Sequence, residues 1–251
     1  MSPFVVGCIV LTCVFGGAML GMAIHTLLPE HHLNAESKDV IKLGMGLIAT
    51  MSALVLALLT SSAKGSYDTQ RNEVTQVSAN VILLDRVLAH YGPETKEARD
   101  LLKLSLAGMI DRLWPNDSVQ STKLGPTTTS GELFFDKIQE LTPQNEVQRS
   151  LQTQAVSLSI GIAQARLLLF EQGGRSIPMP FLVLLIFWVT VIFLSFGLFA
   201  PRNATVIVTL FLCALSVSGA IFLIMELDRP FGGVIQISSA PLHSAMASVG
   251  K

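Results

Sequence analysis

Charged side chains are scarce in this sequence. They make up 14% of 251 residues, against about a quarter in an ordinary soluble domain. The deficit is local, because four long stretches hold almost none while the segments between them are close to normal. That distribution excludes a conventional soluble globular chain and matches membrane spans joined by water-exposed segments. An excess of either sign is also missing. A net charge of -1 removes the electrostatic basis for binding nucleic acid. Cysteine is sparse, and Cys8, Cys13 and Cys213 all fall inside apolar stretches. No pair has metal-ligand spacing, a disulfide framework is not expected, and the three read as small apolar residues within helices. Catalytic signatures are absent too. The P-loop, GxSxG, HExxH and GxGxxG patterns do not occur. His31 and His32 are adjacent and do not face the same way on a helix. With Glu30 they make at best a weak metal site outside the membrane, and a solvated loop is the simpler reading. The chain is therefore read as a non-enzyme that needs no cofactor.

What is present is apolar length. The first charged side chain is Glu30, so Phe4 to Leu28 suits lipid. A second stretch, Leu43 to Ala63, is bracketed by Lys42 and Lys64. A third lies between Arg175 and Arg202, and a fourth between Arg202 and Glu226. Each reaches the roughly 20 residues that a helix needs to cross about 30 Å of hydrocarbon. Spanning segments must satisfy their own backbone hydrogen bonds, so these are helices. The first is expected to be a permanent span, the alternative being a cleaved signal peptide, because Met1 to Val6 carries no basic side chain. Gly17 and Gly21 form a small-xxx-small pair that suits permanent packing. The expected fold class is all-α, a polytopic membrane protein with two transmembrane hairpins flanking a cytosolic helical domain. The expected divisions are a first hairpin over 1–63, the helical domain over 64–176, a second hairpin over 177–225 and an interfacial C-terminal segment over 226–251. Near the span ends, Lys64, Arg71, Arg166, Arg175 and Arg229 fall on one side. Lys38, Lys42 and Arg202 fall on the other, diluted by Glu30, Glu36 and Asp39. The positive-inside rule then puts residues 64–176 and both termini in the cytoplasm.

Residues 64–176 read as helices without strands. Tyr67, Val74, Val77, Val81, Leu84, Leu88 and Tyr91 follow an alternating three-four spacing that makes one apolar seam. The seam serves either a bundle within one subunit or helix pairing between subunits. Gly92-Pro93 breaks it, and Pro93 opens a second helix with Glu94 and Glu97 near its N-terminus. That helix carries Leu101, Leu104, Ile110 and Leu113. The polar run from Pro115 to Gly131 reads as a loop or mobile linker. Thr142-Pro143 reads as the N-cap and first residue of a long helix with a stripe of Val147, Leu151, Leu158, Ala165 and Leu169, ended by Gly173-Gly174. Asp85-Arg86 and Asp111-Arg112 read as surface or intersubunit ion pairs.

The second span carries the most functional information. Lys42, Gly46, Ala49, Ala53, Ala57, Thr60 and Lys64 recur every three or four residues and share one face. That face is small or hydroxylic along its length and cationic at both ends, over about 33 Å at 1.5 Å per residue. The opposite face, Leu43, Leu47, Leu54 and Leu58, is bulky. The small stripe reads either as a helix-packing seam, with the lysines as interfacial anchors, or as a pore lining whose cationic ends favour anions. At the end of the fourth span, Glu226, Asp228 and Arg229 form an interfacial charge cluster. It either marks the membrane boundary or holds a fixed ion pair at a gate or subunit contact. Val234 to Ser239 is expected along the membrane surface.

The segments SIPMPFLVLLIFWVTVIFLSFGLFAPRNATVI, ISSAPL and ELDRPFGG resemble a widespread bacterial family of unknown function, also described as bestrophin-like. HLNAESKDVIKLGMGLIATMSALVL and VILLDRVLAHYGPE are similar to its N-terminal half. Members often carry a basic residue after APL, where this chain has His243. The resemblance implies the layout of a bestrophin, a pentameric anion channel whose second transmembrane helix lines a narrow neck. It implies an oligomeric ion channel in the bacterial inner membrane, anion-permeable, with the second span around the axis. Its partners would be the lipid bilayer, further copies of the chain and inorganic anions. The alternative is a non-conducting scaffold or sensor whose cytosolic helices bind a partner.

Overall fold

The structure, a computed structural model, describes residues 2–27, 35–115, 127–171 and 177–250. Among the described residues all regular structure is helical, with no strand. The chain forms two compact units, one of Met1–Tyr67 with Arg175–Arg229 and the other of Asp68–Gly174 with Pro230–Lys251.

The first unit holds α1 (Pro3–His25), the N-terminal part of α2 (Ala35–Tyr91), α6 (Met179–Phe199) and α7 (Ala204–Leu227). Their ends are set by local chemistry. Ser2 caps α1 by accepting from the Val5 amide at 3.4 Å, and Pro3 occupies the first turn, where no amide is needed. Asn203 caps α7 by accepting from the Val206 amide at 2.9 Å. At the other end of α1, Arg202 donates to the Met22 carbonyl and, at 3.4 Å, to the Thr26 hydroxyl. A cation at a helix C-terminus meets otherwise unsatisfied carbonyls. His25 Nδ1 donates to the Leu198 carbonyl at 2.8 Å and ties α1 to α6.

The α1–α6 crossing is close because glycine faces backbone. A Cβ at Gly21 would collide with the Leu194 carbonyl, and one at Gly197 with the Ala18 carbonyl. At Gly17 it would stand 3.1 Å from the Thr190 carbonyl oxygen. Ser218 joins α7 to α1 by donating to the Gly7 carbonyl at 2.6 Å. Around these contacts Val10, Val14, Ala18, Leu185, Ala214 and Ile221 form a core closed to solvent.

The second unit contains the rest of α2, then α3 (Lys96–Leu113), α4 (Thr127–Gln139), α5 (Glu146–Glu171) and α8 (Ala240–Ser248). The predicted seam is its centre. Val74, Val77, Val81, Leu84 and Leu88 are all buried, so this seam serves packing within the chain. Gly92 takes φ +140°, a conformation open to glycine, and a single 3-10 turn over Pro93–Thr95 leads into α3. The Thr95 hydroxyl stands 2.7 Å from the Leu88 carbonyl and 2.8 Å from the Gly92 carbonyl, closing the end of α2.

Several sequence expectations are corrected here. The buried face of α3 is Ala98, Leu102, Leu106, Met109, Ile110 and Leu113, with Leu101 and Leu104 only half-buried at its edges. Helix α4 begins at Thr127, inside the segment expected to be a loop, and buries Phe134 and Ile138. The rest of that segment, residues 116–126, lies outside the described residues, as do His31, His32 and Gly173-Gly174. Helix α5 starts at Glu146 rather than after Thr142. Asn145 accepts from the Gln148 amide at 2.8 Å, and Gln148 reaches back to the Gln144 amide at 2.7 Å. The Asn145 side chain thus caps the helix, and the Gln148 side chain holds the amide of the residue before the cap. Val147 is exposed, because the buried positions of α5 are Ala155, Ser159 and Leu169. Asp85 pairs with Arg99 of α3 and not with its neighbour Arg86.

The C-terminal segment also differs from expectation. Val234 is exposed, but Ile237, Leu242, Ala245 and Val249 are buried within the second unit. Trp114 Nε1 donates to the Ile237 carbonyl at 2.8 Å, and its ring meets Phe231 edge-on at 5.1 Å. An indole with a satisfied N–H and an apolar body is a strong anchor for an irregular segment.

Candidate functional site

Helix α2 has three faces in the first unit, and one of them is used. Ser52, Leu59 and Ala63 are buried, with Val55 and Leu56 packed beside them. Ser52 is satisfied by its own helix, donating to the Ile48 carbonyl at 2.8 Å. The leucine face is open, with Leu43 77% and Leu54 72% exposed. The small-residue stripe is open as well. Lys42, Gly46, Ala49, Ala53, Ala57, Thr60 and Lys64 are all exposed within the single chain, and an added Cβ at Gly46 meets nothing within 4 Å. The structure thus keeps the predicted residues together on one surface and leaves that surface exposed among the described residues.

The polar groups of the stripe are modest. The Thr60 hydroxyl donates to the Leu56 carbonyl at 2.8 Å and adds no free donor to the surface. Lys42 pairs with Asp39 at 3.5 Å, both well exposed, and such pairs hold only weakly. Lys64 is also engaged in an interaction. Both terminal cations are exposed. Nearby, Lys38 stands 6.0 Å from the centre of the Phe199 ring and links α2 to α6.

At the end of α7, Glu226 is buried while Asp228 and Arg229 are half-buried, and all three are engaged in interactions. The Arg229 amide donates to the Glu226 carbonyl at 3.0 Å and the Asp228 amide to the Ile224 carbonyl at 3.2 Å. The cluster is a structured helix terminus rather than a set of solvated charges.

A second constellation was not read from the sequence. In the second unit, α3, α4 and α5 line an open cavity of about 640 Å³, with the half-buried Arg166, the exposed Arg112, and Phe134, Phe135, Leu167 and Phe170 among its walls. Burial first, and the neighbouring Arg112 cation second, push the Arg166 guanidinium below its ordinary pKa. Nothing local marks this site, since Arg112 and Arg166 lie on separate helices and α4 begins within an expected loop.

Five helices among the described residues are long and apolar enough to cross a membrane by length and composition, namely α1, α2, α5, α6 and α7. The least apolar is α5, which belongs to the second unit.

A family model described as a bestrophin-like domain matches residues 12–242. No curated protein matches the sequence. Among solved structures, the chain is similar to a tryptophan-to-alanine mutant of a bacterial bestrophin homologue from Klebsiella pneumoniae. The identity is 14%, the TM-score is 0.73, and the match covers 99% of this chain and 97% of that one. An aspartate-to-alanine mutant of the Klebsiella homologue matches at 13% identity and a TM-score of 0.72, over 97% of this chain and 98% of that one. A third structure of the homologue, phased on zinc, matches at 12% identity and a TM-score of 0.65, over 93% and 96% of the two chains. At such identities the structural likeness concerns the fold.

Proposed function

Because this chain belongs to the bestrophin-like family, we propose that it is an oligomeric ion channel of the bacterial inner membrane, anion-permeable, with α2 lining the pore. The observation that carries this reading is the open small-residue face of α2. Only 11% of the most apolar window of α2 is buried within the chain, against 39% for α1. Leucine side chains give lipid tails a full contact surface, so the leucine face of α2 suits lipid. A stripe of Gly, Ala and Thr with a cation at each end suits a water-filled axis or a neighbouring copy instead. Several copies of α2 around an axis would create such a lumen, and a pentamer is the assembly that the resemblance suggests. Catalysis has no part in this reading, and neither does a cofactor.

Four spans, α1, the first part of α2, α6 and α7, would cross the bilayer, with the second unit and both termini in the cytoplasm. The basic residues nearest the spans favour that side. In intact cells, in a background without the native cysteines, a probe cysteine at Asn34 is expected to react with a membrane-impermeant reagent and one at Arg86 to remain protected. The opposite pattern reverses the orientation.

Conduction is tested by native mass spectrometry followed by anion flux in liposomes. The expected result is a discrete homo-oligomer that passes anions. Lys42→Glu or Lys64→Glu is expected to lower flux by roughly tenfold at low salt, because cations at a mouth concentrate anions. The loss should shrink as ionic strength approaches physiological, where charges are screened over about 8 Å. Ala53→Phe is expected to assemble normally and block flux. If Ala53→Phe misassembles, the stripe is a packing seam between copies and the pore lies elsewhere. A stable oligomer without flux under any pH, calcium or voltage condition would move the reading to a scaffold or sensor. That alternative draws on the exposed apolar side chains of α5, Leu167 and Leu168 among them.

A further inference from the structure

We propose that the cavity between α3, α4 and α5 is a binding site for an amphiphilic carboxylate, an apolar ring or chain ended by one carboxylate group that Arg112 and Arg166 would hold. Its volume of about 640 Å³ lies within the roughly 300–1,000 Å³ of small-molecule sites. Phe134, Phe135 and Ile160 supply apolar walls, and the ring of Phe170 stands 6.0 Å from the Arg166 guanidinium carbon. A side lobe of about 60 Å³ shares Arg166, Phe134 and Gly131 with the main cavity and is lined further by Val81, Leu102 and Leu106. Arg166 therefore stands where the two spaces meet.

The charges give the class of ligand. Arg112 and Arg166 come from different helices, line the same cavity, and lie close enough for the Arg112 cation to disfavour the charge of Arg166. Among the described residues no carboxylate forms an ion pair with either. Glu132 and Asp136 also line the cavity, but both are exposed on α4 and pair with neither arginine. A half-buried cation facing a second cation is costly without a counter-charge. Arginine's planar fork matches a carboxylate with two parallel hydrogen bonds, so one bound carboxylate offsets the repulsion and the desolvation together. The apolar walls favour an anion with an apolar body over a free inorganic ion. Access to Arg166 also depends on Gly131, where a Cβ would approach the Arg166 Nη1 to 3.2 Å.

The test is isothermal titration of the full-length protein in lipid nanodiscs with 2-naphthoate, subtracting empty discs. The neutral alcohol 2-naphthalenemethanol is the control for apolar partition. The expected result is saturable binding of one naphthoate per chain, at least tenfold tighter than the alcohol. Arg112→Gln and Arg166→Gln should each weaken it about tenfold. Ala163→Trp, which keeps both arginines and places an indole in the cavity from an exposed position, should abolish it with helix content and assembly unchanged. Absence of saturable binding to the wild-type protein would overturn the proposal, as would equal affinity for the alcohol or undiminished binding by Ala163→Trp. If the wild type does not bind and Ala163→Trp loses its assembly, a second copy of the chain fills the cavity and the ligand site does not exist. None of these readouts depends on whether the protein conducts ions.

Discussion

Replacing Gly21 with alanine is expected to cost the first unit about 3 kcal/mol or more, the upper end of overpacking penalties. The added methyl would occupy the space of the Leu194 carbonyl, and the nearest atoms belong to backbone rather than to a side chain with other rotamers. Relief requires α1 and α6 to separate, which strips contacts from the shared core of Val14, Ala18 and Leu185. Gly197→Ala is expected to do the same from the opposite side, against the Ala18 carbonyl. A control lies on the same helix. A Cβ at Gly16 meets nothing within 4 Å, so Gly16→Ala should be neutral or add up to about 1 kcal/mol through helix propensity. Fluorescence-detected gel filtration after a heating series compares the three variants. Equal melting of Gly16→Ala and Gly21→Ala would show that the α1–α6 crossing is not set by glycine.

Asp85→Ala is expected to destabilise the second unit by about 3–5 kcal/mol, the cost of leaving one partner of a buried ion pair alone. The Asp85 side chain is 2% exposed and that of Arg99 is 19% exposed. Arg99 donates twice, from Nε at 2.7 Å and from Nη2 at 3.0 Å, and the Gly250 amide donates to the same carboxylate at 3.3 Å. The hydrogen bonds to Asp85 hold the Arg99 guanidinium above its ordinary pKa, against the opposing effect of burial. A guanidinium is protonated at neutral pH in any case, so Asp85→Ala removes the buried carboxylate and leaves the charge of Arg99 in place. The carboxylate also joins α2, α3 and the C-terminal residues, so three segments loosen at once. Urea unfolding followed by Trp114 emission in a Trp188→Phe background reports on this unit, because Trp114 is buried within it. Replacing Asp85 and Arg99 together with apolar residues should recover part of the loss, since an empty pair has no stranded charge. The exposed pair Glu146–Arg149, 3.0 Å apart, is the control, and Glu146→Ala should leave unfolding unchanged. Unfolding of Asp85→Ala at the wild-type urea concentration would remove the pair from the account of stability.

Both sites show where local sequence information stops. Charge scarcity and apolar run length are properties of contiguous residues, so the positions of α1, α6 and α7 were legible within a few residues of their ends. The three-four spacing of Val74 to Leu88 was legible for the same reason, because one amphipathic helix carries its own period. The small stripe of α2 could be drawn from spacing as well. Spacing says which residues share a face, and not whether another helix covers it. Only the folded chain shows that Ser52, Leu59 and Ala63 take the intrachain contact while the stripe stays open. In α1 the four-residue spacing of Gly17 and Gly21 marked a packing face, but what Gly21 meets, a carbonyl on a helix far along the chain, came only with folding. Short-range polar chemistry misled in two places. Thr142-Pro143 resembles a helix start, but the side chains of Asn145 and Gln148 make the hydrogen bonds. The Thr- and Gly-rich run before Phe134 resembles a loop, but burial of Phe134 and Ile138 stabilises α4. Asp85 had a basic neighbour in sequence and a different one in space, because successive residues on a helix point about 100° apart and only Asp85 faces α3. The sequence by itself determined which segments are apolar and that the long periodic ones are helical, since both follow from side chains a few positions apart. The tertiary structure alone decided which charges pair, which glycines meet backbone and where Arg112 and Arg166 converge, since each depends on atoms that the chain brings together only by folding.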